Sequence, residues 1–433
     1  MISKYIYKFN EDIIFFLIST SIFFSHVVFY GFQLRFAYLF IILFLIKDFL
    51  KTNKKKLIKF YISFFISIII FFHSLYNYYL IFDPNDEIFN NKNKFILKIF
   101  IQSLVIFLTI LILSNLKRKI LLNFEKLVLY FLTFFFISLL IYQIYVGDIF
   151  GLLYTCNVGF FSLTQYIFLE NSHFHIIAVP TIFYVILKFS EIKYKFLFFI
   201  LTTLLIFFSF GLFSLTFFLS INIGCLSIFL FCRKLNKSTI IILLLLLFTN
   251  NVYFLNKDSC EAIERDYFDG TISSPKDKLL DVIEIDNFIK KEKNSINFSM
   301  KIYLNSYEFA AKSLKENILG SGISNYFYHF MKYKKNIIIS KDFSHGNFLE
   351  LNQTDGSTNF SKIVVEFGLF GLLLIIYLFL KFFTISLNDP LKIFLYLSIG
   401  IQIFIRGNGY FYNGFLIMII LLSLIILDEK NDN

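Results

Sequence analysis

About twelve apolar runs, each near the length that crosses a bilayer, are the feature that most constrains this chain. A helix needs roughly 20 apolar residues to span the hydrocarbon core of a membrane. Such runs recur through the sequence and are separated by polar connections. They cover 13–30, 34–50, 58–82, 95–114, 127–146, 174–189, 196–210, 212–232, 238–255, 362–382, 391–405 and 411–427. The sequence therefore predicts an all-α polytopic integral membrane protein.

The charge of the chain follows membrane topology and does not indicate a nucleic-acid partner. Only 16% of the 433 residues are charged, the net charge is +11, and 57% are hydrophobic. The positive charges cluster in short connections such as SNLKRKILLNFEK at 114–126, as expected for loops on the cytoplasmic side. The four cysteines show no metal-ligand spacing. We therefore predict no nucleic acid, no zinc site and no disulfide framework.

Basic connections alternate with connections that carry few positive charges. This alternation predicts that both termini are cytoplasmic and that the long hydrophilic segment 256–361 lies on the outer face. The chain then divides into nine spans in 1–255, the large outer loop 256–361, and three spans with a cytoplasmic terminus in 362–433. Within the loop, the apolar spacing over 297–317 predicts an amphipathic helix that GSG ends.

Arginine is rare in this lysine-rich chain, because only five of the 41 basic residues are Arg. A guanidinium binds phosphate through two parallel hydrogen bonds, which an ammonium cannot do. Topology accounts for the two cytoplasmic arginines but not for Arg35, Arg265 and Arg406 on the outer side. Arg406, and similarly Arg35, is a candidate contact for a diphosphate or a sugar, and an arginine that merely reaches the membrane interface is the alternative.

His345 opens a dense polar stretch that includes Asn347 and Glu350. A neutral imidazole accepts or donates a proton near pH 7, so His345 is a candidate general base, with a solvated loop residue as the alternative. Glu366 falls near the first turn of a span, where a carboxylate either faces a wet cavity or stabilises a helix N-terminus. His173 precedes another span as a candidate cap or interfacial residue.

The sequence lacks the motifs that are typical of nucleotide binding and of metal-dependent glycosyl transfer. There is no GxxxxGK[ST] loop, no GxGxxG fingerprint and no acidic DxD motif. Ionisable residues are also nearly absent from the predicted span interiors, which disfavours an ion-coupled transporter. We therefore predict no cofactor and no metal ion.

Four motifs together resemble the O-antigen polymerase (Wzy-type) family. They are LGSGISNYF at 319–327, SHGNFLE at 344–350, EFGLFG at 366–371 and RGNGYFYNG at 406–414. The resemblance implies a GT-C-like glycosyltransferase of the bacterial inner membrane. Its substrate would be an undecaprenyl-diphosphate-linked oligosaccharide at the periplasmic face, and its protein partners a chain-length-setting co-polymerase and a flippase.

The resemblance also implies roles for the candidate residues. Arg406, Arg35 and Arg265 become diphosphate contacts, and Lys301 stands where many relatives have arginine. His173 lies in ENSHFHIIAVP, which is similar to a short segment of some relatives.

For the acceptor side, the resemblance implies that His345 is the base or orients the sugar. Asn347, Glu350 and Glu366 would then support His345 in this role. Two other functions stay open at this point. An O-antigen ligase shares the topology and differs in its acceptor, lipid A-core, whereas a polysaccharide flippase or another transporter needs no long outer loop.

Overall fold

The computed structural model describes most of the chain between residues 54 and 432. The described residues are 22–23, 28–29, 32–33, 54–81, 92–113, 124–146, 171–212, 214–232, 235–256, 260–261, 271–272, 298–333, 356–384, 389–407, 409–410 and 414–432. The helices are α1 (Lys54–Ile81), α2 (Lys92–Leu113), α3 (Phe124–Val146), α4 (Asn171–Lys188), α5 (Lys195–Gly211), α6 (Leu215–Phe231), α7 (Lys237–Leu255), α8 (Phe298–Glu316), α9 (Tyr326–Tyr333), α10 (Asn359–Thr384), α11 (Pro390–Gly400) and α12 (Phe415–Asp432).

Extended structure in the described residues is confined to two short antiparallel pairs. Strand β1 (Val28–Phe29) pairs with β2 (Phe32–Gln33), and β3 (Cys260–Glu261) pairs with β4 (Thr271–Ile272). Each strand has two residues, so neither pair forms a sheet that could organise a core. The fold is helical, as the sequence predicts.

Within the described residues, four helical stretches are long and apolar enough to cross a membrane. They are Phe60–Leu80, Phe124–Ile141, Lys237–Leu255 and Asn359–Lys381. Shorter apolar stretches of 10–17 residues are Phe95–Leu111, Ser172–Lys188, Lys195–Gly211, Leu215–Phe231 and Pro390–Ile405. The predicted helical membrane protein is thus confirmed in outline. The runs 13–30 and 34–50 fall almost entirely outside the described residues.

Helix α4 forms the centre of the bundle. It packs against α6 and α11, and every side chain from His173 to Ile186 is buried. Aromatic rings fill the space beside it, with the rings of Phe135 and Phe174 stacked 4.8 Å apart. Pro180 lies inside the helix, which membrane helices tolerate when neighbouring elements satisfy the freed backbone groups.

The amphipathic helix predicted at 297–317 is confirmed as α8, Phe298–Glu316. Its buried face packs against α10, while Glu308 and Lys312 form an ion pair of 2.8 Å on the more exposed side. The GSG turn ends the helix, since Gly320 and Gly322 adopt positive φ angles of 80° and 83°. The helix packs on the first turns of α10 and is not separate from the bundle.

Helix α10 breaks at Gly368, which has φ 57° and ψ −135°. The turn after α8 satisfies backbone groups at the break: the Leu369 amide donates to the Ile318 carbonyl at 2.8 Å, and the Gly322 amide donates to the Glu366 carbonyl at 2.8 Å. Non-helical backbone in a candidate span is tolerated where protein buries it in this way. The turn after α8 occupies the space beside Gly368, because a Cβ there would lie 2.5 Å from the Gly320 amide nitrogen.

The same turn is held on its other side by α1. The Ser74 hydroxyl accepts a 2.8 Å hydrogen bond from the Ile323 amide, and the Asn325 side-chain amide donates to the Ser74 carbonyl at 2.9 Å. A Cβ on Gly322 would lie 2.4 Å from the Ser74 Cα. The turn therefore joins α1 to the break in α10 and gives the buried Ser74 two hydrogen-bond contacts outside its own helix.

We predict that Gly368→Ala destabilises the protein. An added Cβ would lie 2.1 Å from the Ile318 carbonyl oxygen, and alanine disfavours positive φ, so we expect a loss of about 2–5 kcal/mol. The measurement is the thermal unfolding midpoint of the purified protein in detergent. Gly400→Ala is the matched control because a Cβ there has no atom within 4 Å. Equal midpoints for the two variants would contradict the prediction.

Candidate functional site

The described residues include only some of the predicted site residues. His345, Asn347 and Glu350 lie outside them, as do Arg35 and Arg265. Their predicted roles therefore stay predictions.

Four predicted residues fall on described elements. Lys301 lies in α8, although its side chain is not among the described ones. His173, Glu366 and Arg406 have described side chains and can be placed in the fold.

These side chains belong to a cluster of polar groups where α4 begins, α8 packs, α10 begins and α11 ends. We name this cluster the polar junction. Its members are Ser172, His173, Tyr303, Ser306, Tyr307, Ser357, Thr358, Asn359, Ser361, Lys362, Glu366, Arg406 and Tyr410. So many polar groups buried at one place in an apolar bundle make this the candidate site.

Thr358 caps the N-terminus of α10. Its hydroxyl accepts the Ser361 amide at 3.2 Å, the usual pairing of an N-cap with the third helical residue. The Ser361 hydroxyl in turn donates to the Ser306 hydroxyl of α8 at 3.0 Å. The cap therefore links α10 to α8 and fixes where the polar face of α10 begins.

Helix α11 continues into a π-helical turn, Ile401–Ile405, which ends when the Arg406 amide donates to the Ile401 carbonyl at 2.9 Å. Such turns are frequent at functional sites. The hydroxyls of Tyr303 and Tyr307 on α8 both donate to the Phe404 carbonyl, the latter at 2.9 Å. Helix α8 thus holds the π-helical turn that precedes Arg406.

Arg406 is half-buried, and its Nε donates to the Ser172 hydroxyl at 3.3 Å. Ser172 belongs to the first turn of α4, next to His173, which is 2% exposed. The side chain of His173 is therefore buried among the helices, at the same end of the bundle as Arg406. Its predicted role as a cap, interfacial or substrate-binding residue stays a prediction.

Burial and charge keep two tyrosines of the junction protonated. Burial and the neighbouring Tyr307 raise the pKa of Tyr303, and Arg406 partly offsets this. Burial and the Glu366 carboxylate raise the pKa of Tyr410 well above its ordinary value. Both hydroxyls therefore act as hydrogen-bond donors at neutral pH.

Asn359, Lys362 and Glu366 form a polar stripe on the first turns of α10, since spacings of three and four residues share one helix face. All three are buried, at 0%, 7% and 0% exposure. Glu366 was predicted in the first turn, but it lies at the end of the second, just before the break. Sequence reasoning missed Asn359 and Lys362, although their spacing to Glu366 was a readable signal.

A segment we name the glycine turn, with described residues Arg406, Gly407, Gly409 and Tyr410, lies along this stripe. A Cβ on Gly407 would approach the Asn359 Oδ1 to 2.6 Å. The Tyr410 hydroxyl donates to the Glu366 carboxylate. The glycines therefore permit a contact that any larger residue would prevent.

One member of the stripe, Asn359, retains unused hydrogen-bonding capacity. Among the described residues, neither polar atom of its side chain has a hydrogen-bond partner. Buried polar atoms are normally satisfied by protein, water or ligand. These atoms are therefore available to a water molecule or a polar ligand group.

An apolar cleft of about 150 Å³ lies beside the polar junction. Side chains of α6, α11 and the second half of α10 line it, among them Ile375, Phe379 and Leu397. Phe404 and Ile405 also line it, immediately before Arg406. An apolar cleft and a cation are thus adjacent in the chain, an arrangement that suits an anionic lipid.

Comparison with known proteins adds nothing to this geometry: no family model, no curated protein sequence and no solved structure matches the chain. Among the described residues, no three His, Cys, Asp or Glu side chains are grouped as a metal ion requires.

We predict that the two tyrosines of α8 substitute for each other. Tyr303→Phe or Tyr307→Phe alone leaves one hydroxyl on the Phe404 carbonyl, so each costs less than about 1 kcal/mol, whereas the double variant removes both donors and costs about 1–3 kcal/mol. Unfolding midpoints in detergent give the double-mutant cycle. Tyr130→Phe, on an exposed ring, is the control. If the loss of stability in the double variant equals the sum of the losses in the two single variants, the two hydroxyls do not substitute for each other and the prediction is wrong.

Proposed function

We propose that the chain is a bacterial surface-polysaccharide polymerase of the O-antigen type. The observation that carries the proposal is Arg406, held half-buried by Ser172 among the polar groups of the junction. A diphosphate leaving group requires a preorganised cation where negative charge develops. The sequence motifs that resemble the polymerase family supply the rest of the argument.

In this reaction a growing glycan moves from one undecaprenyl diphosphate to a new lipid-linked repeat unit. A hydroxyl of the acceptor sugar attacks the anomeric carbon of the donor, and His345 takes the proton of that hydroxyl. The bond from the anomeric carbon to the diphosphate oxygen breaks, and undecaprenyl diphosphate leaves. Asn347 and Glu350 orient His345, as the resemblance implies.

The diphosphate is bound by Arg406 together with Arg35, Arg265 and Lys301. The cleft of about 150 Å³ that ends at Ile405 has room for only the first isoprene units of the carrier, and the rest of the hydrocarbon chain lies in the membrane. This arrangement is consistent with a lipid whose anionic group lies at the membrane surface and whose chain lies at the depth of the spans. No metal ion or cofactor is required in the proposal.

We further propose that the chain crosses the membrane about twelve times, with its spans in a GT-C-like arrangement. Segment 256–361 is periplasmic, both termini are cytoplasmic, and the membrane is the bacterial inner membrane. A polysaccharide co-polymerase that sets chain length and a flippase that delivers the repeat unit are the protein partners. The distribution of basic connections in the sequence supports this orientation.

A transporter is the second candidate, and one observation favours it. Lys362 and Glu366 are buried beside a break in a candidate span, and broken helices with buried charges are typical of carriers. This observation weakens the sequence argument that ionisable groups are absent from span interiors. A ligase that uses lipid A-core as acceptor is the third candidate.

We predict that deleting the gene gives lipid A-core capped by a single repeat unit. Arg406→Ala and His345→Ala should reproduce this pattern at matched membrane abundance, because each removes a group needed for transfer. The measurement is the ladder of surface polysaccharide on a gel. Arg118→Ala, at a predicted cytoplasmic connection, is the control and should give the wild-type ladder.

The alternatives give different patterns. Uncapped core with accumulated lipid-linked polymer would replace the polymerase by the ligase. Single repeats retained on the cytoplasmic face would replace it by the flippase.

A further inference from the structure

We propose that Lys362, Glu366 and Tyr410 form a charge-balanced anchor that positions the glycine turn, and with it Arg406. The three are positioning residues that act through Arg406. The inference rests on the proposed function only for the role of Arg406 as a diphosphate contact. Lys362 and Tyr410 thereby gain a role. Glu366, which the resemblance implied to support His345, instead helps to position Arg406.

The anchor is built from contacts across 44 residues of chain. Glu366 is fully buried, and the Tyr410 hydroxyl donates to its carboxylate. Lys362 lies one helical turn earlier on the same buried face, so its charge acts on this carboxylate. The Lys362 Nζ also lies 5.8 Å from the centre of the Tyr410 ring, within range for a cation–π contact. One cation, one anion and one aromatic ring therefore stabilise each other.

The glycine turn fits closely over this group. A Cβ on Gly409 would lie 3.1 Å from the Lys362 Nζ, and Gly409 has a positive φ of 88°. The Gly407 amide donates to the Ser357 carbonyl at 2.9 Å, just before α10 begins. The turn is thus attached to α10 near both of its ends.

Arg406 begins the attached segment. Its amide closes the π-helical turn on Ile401, and its side chain reaches Ser172 on α4. Only three residues lie between Arg406 and Tyr410, so we expect a displacement of Tyr410 to move the guanidinium as well. The anchor therefore determines where this cation meets a phosphate.

The burial of Glu366 excludes direct contact with substrate in this structure. A carboxylate at 0% exposure stabilises the fold only while its charge is compensated. Removing the Lys362 ammonium leaves the buried anion less compensated, whereas removing both charges leaves neither a buried anion nor its neighbouring cation on this helix face. Glutamine at position 366 still offers Tyr410 a carbonyl oxygen.

The test is a double-mutant cycle with Lys362→Met, Glu366→Gln and the double variant. Two quantities are measured on the purified full-length protein in detergent: the thermal unfolding midpoint and the affinity for undecaprenyl diphosphate. Lys381→Met is the matched control, since Lys381 lies on the same helix with its Nζ also 5.8 Å from a tyrosine ring, that of Tyr377. The surface-polysaccharide ladder is recorded for every variant and for Arg406→Ala.

We expect Lys362→Met to lower both the midpoint and the affinity, the latter by about tenfold or more. Adding Glu366→Gln should restore the affinity to within about twofold of wild type. Lys381→Met should match wild type in both measurements. Rescue of affinity by a second substitution distinguishes positioning from a general loss of folded protein.

Two results would overturn the anchor. A double variant that regains its midpoint but not its affinity would mean that the charges themselves meet the ligand. A Lys362→Met variant indistinguishable from Lys381→Met would mean that Lys362 and Glu366 are not coupled. If Arg406→Ala leaves the ladder at wild type, the proposed function fails, and rescue of the midpoint in the double variant still supports the anchor.

Discussion

The structure depends on backbone hydrogen bonds made across the break in α10. In an apolar environment each unsatisfied amide or carbonyl is costly, so a span can lose its helical pairing only where other protein groups replace it. Here the turn after α8 supplies the replacement through Ile318 and Gly322. Because the same turn is bonded to Ser74 of α1, one short stretch fixes the relative positions of the loop helix, α1 and α10.

The polar junction follows from that constraint. Once α8 lies along α10, the tyrosines of α8 reach the π-helical turn, and Arg406 is placed at the start of α4. Arg406 is therefore oriented by α4 and α8, which are distant from it in sequence, and by the π-helical turn that directly precedes it. The apolar cleft begins directly before it, so the local arrangement combines a cation with an apolar surface.

The sequence was sufficient for the helical class and for α8, because both depend on local apolar spacing. It was also sufficient to single out Arg406 and Glu366 by their rarity and position. It could not reveal the partner of Glu366, since Tyr410 is 44 residues away and nothing local connects them. The break at Gly368 was missed for a related reason: two glycines in a span are equally typical of close helix packing, and only the docked turn decides between them.

The break also has a consequence for how the protein is made. The turn after α8 precedes α10 in the chain, so it is synthesised first. Until the two meet, the carbonyls of Val365 and Glu366 lack the amides of Ser321 and Gly322. The first turns of α10 and the turn after α8 therefore complete their folding together.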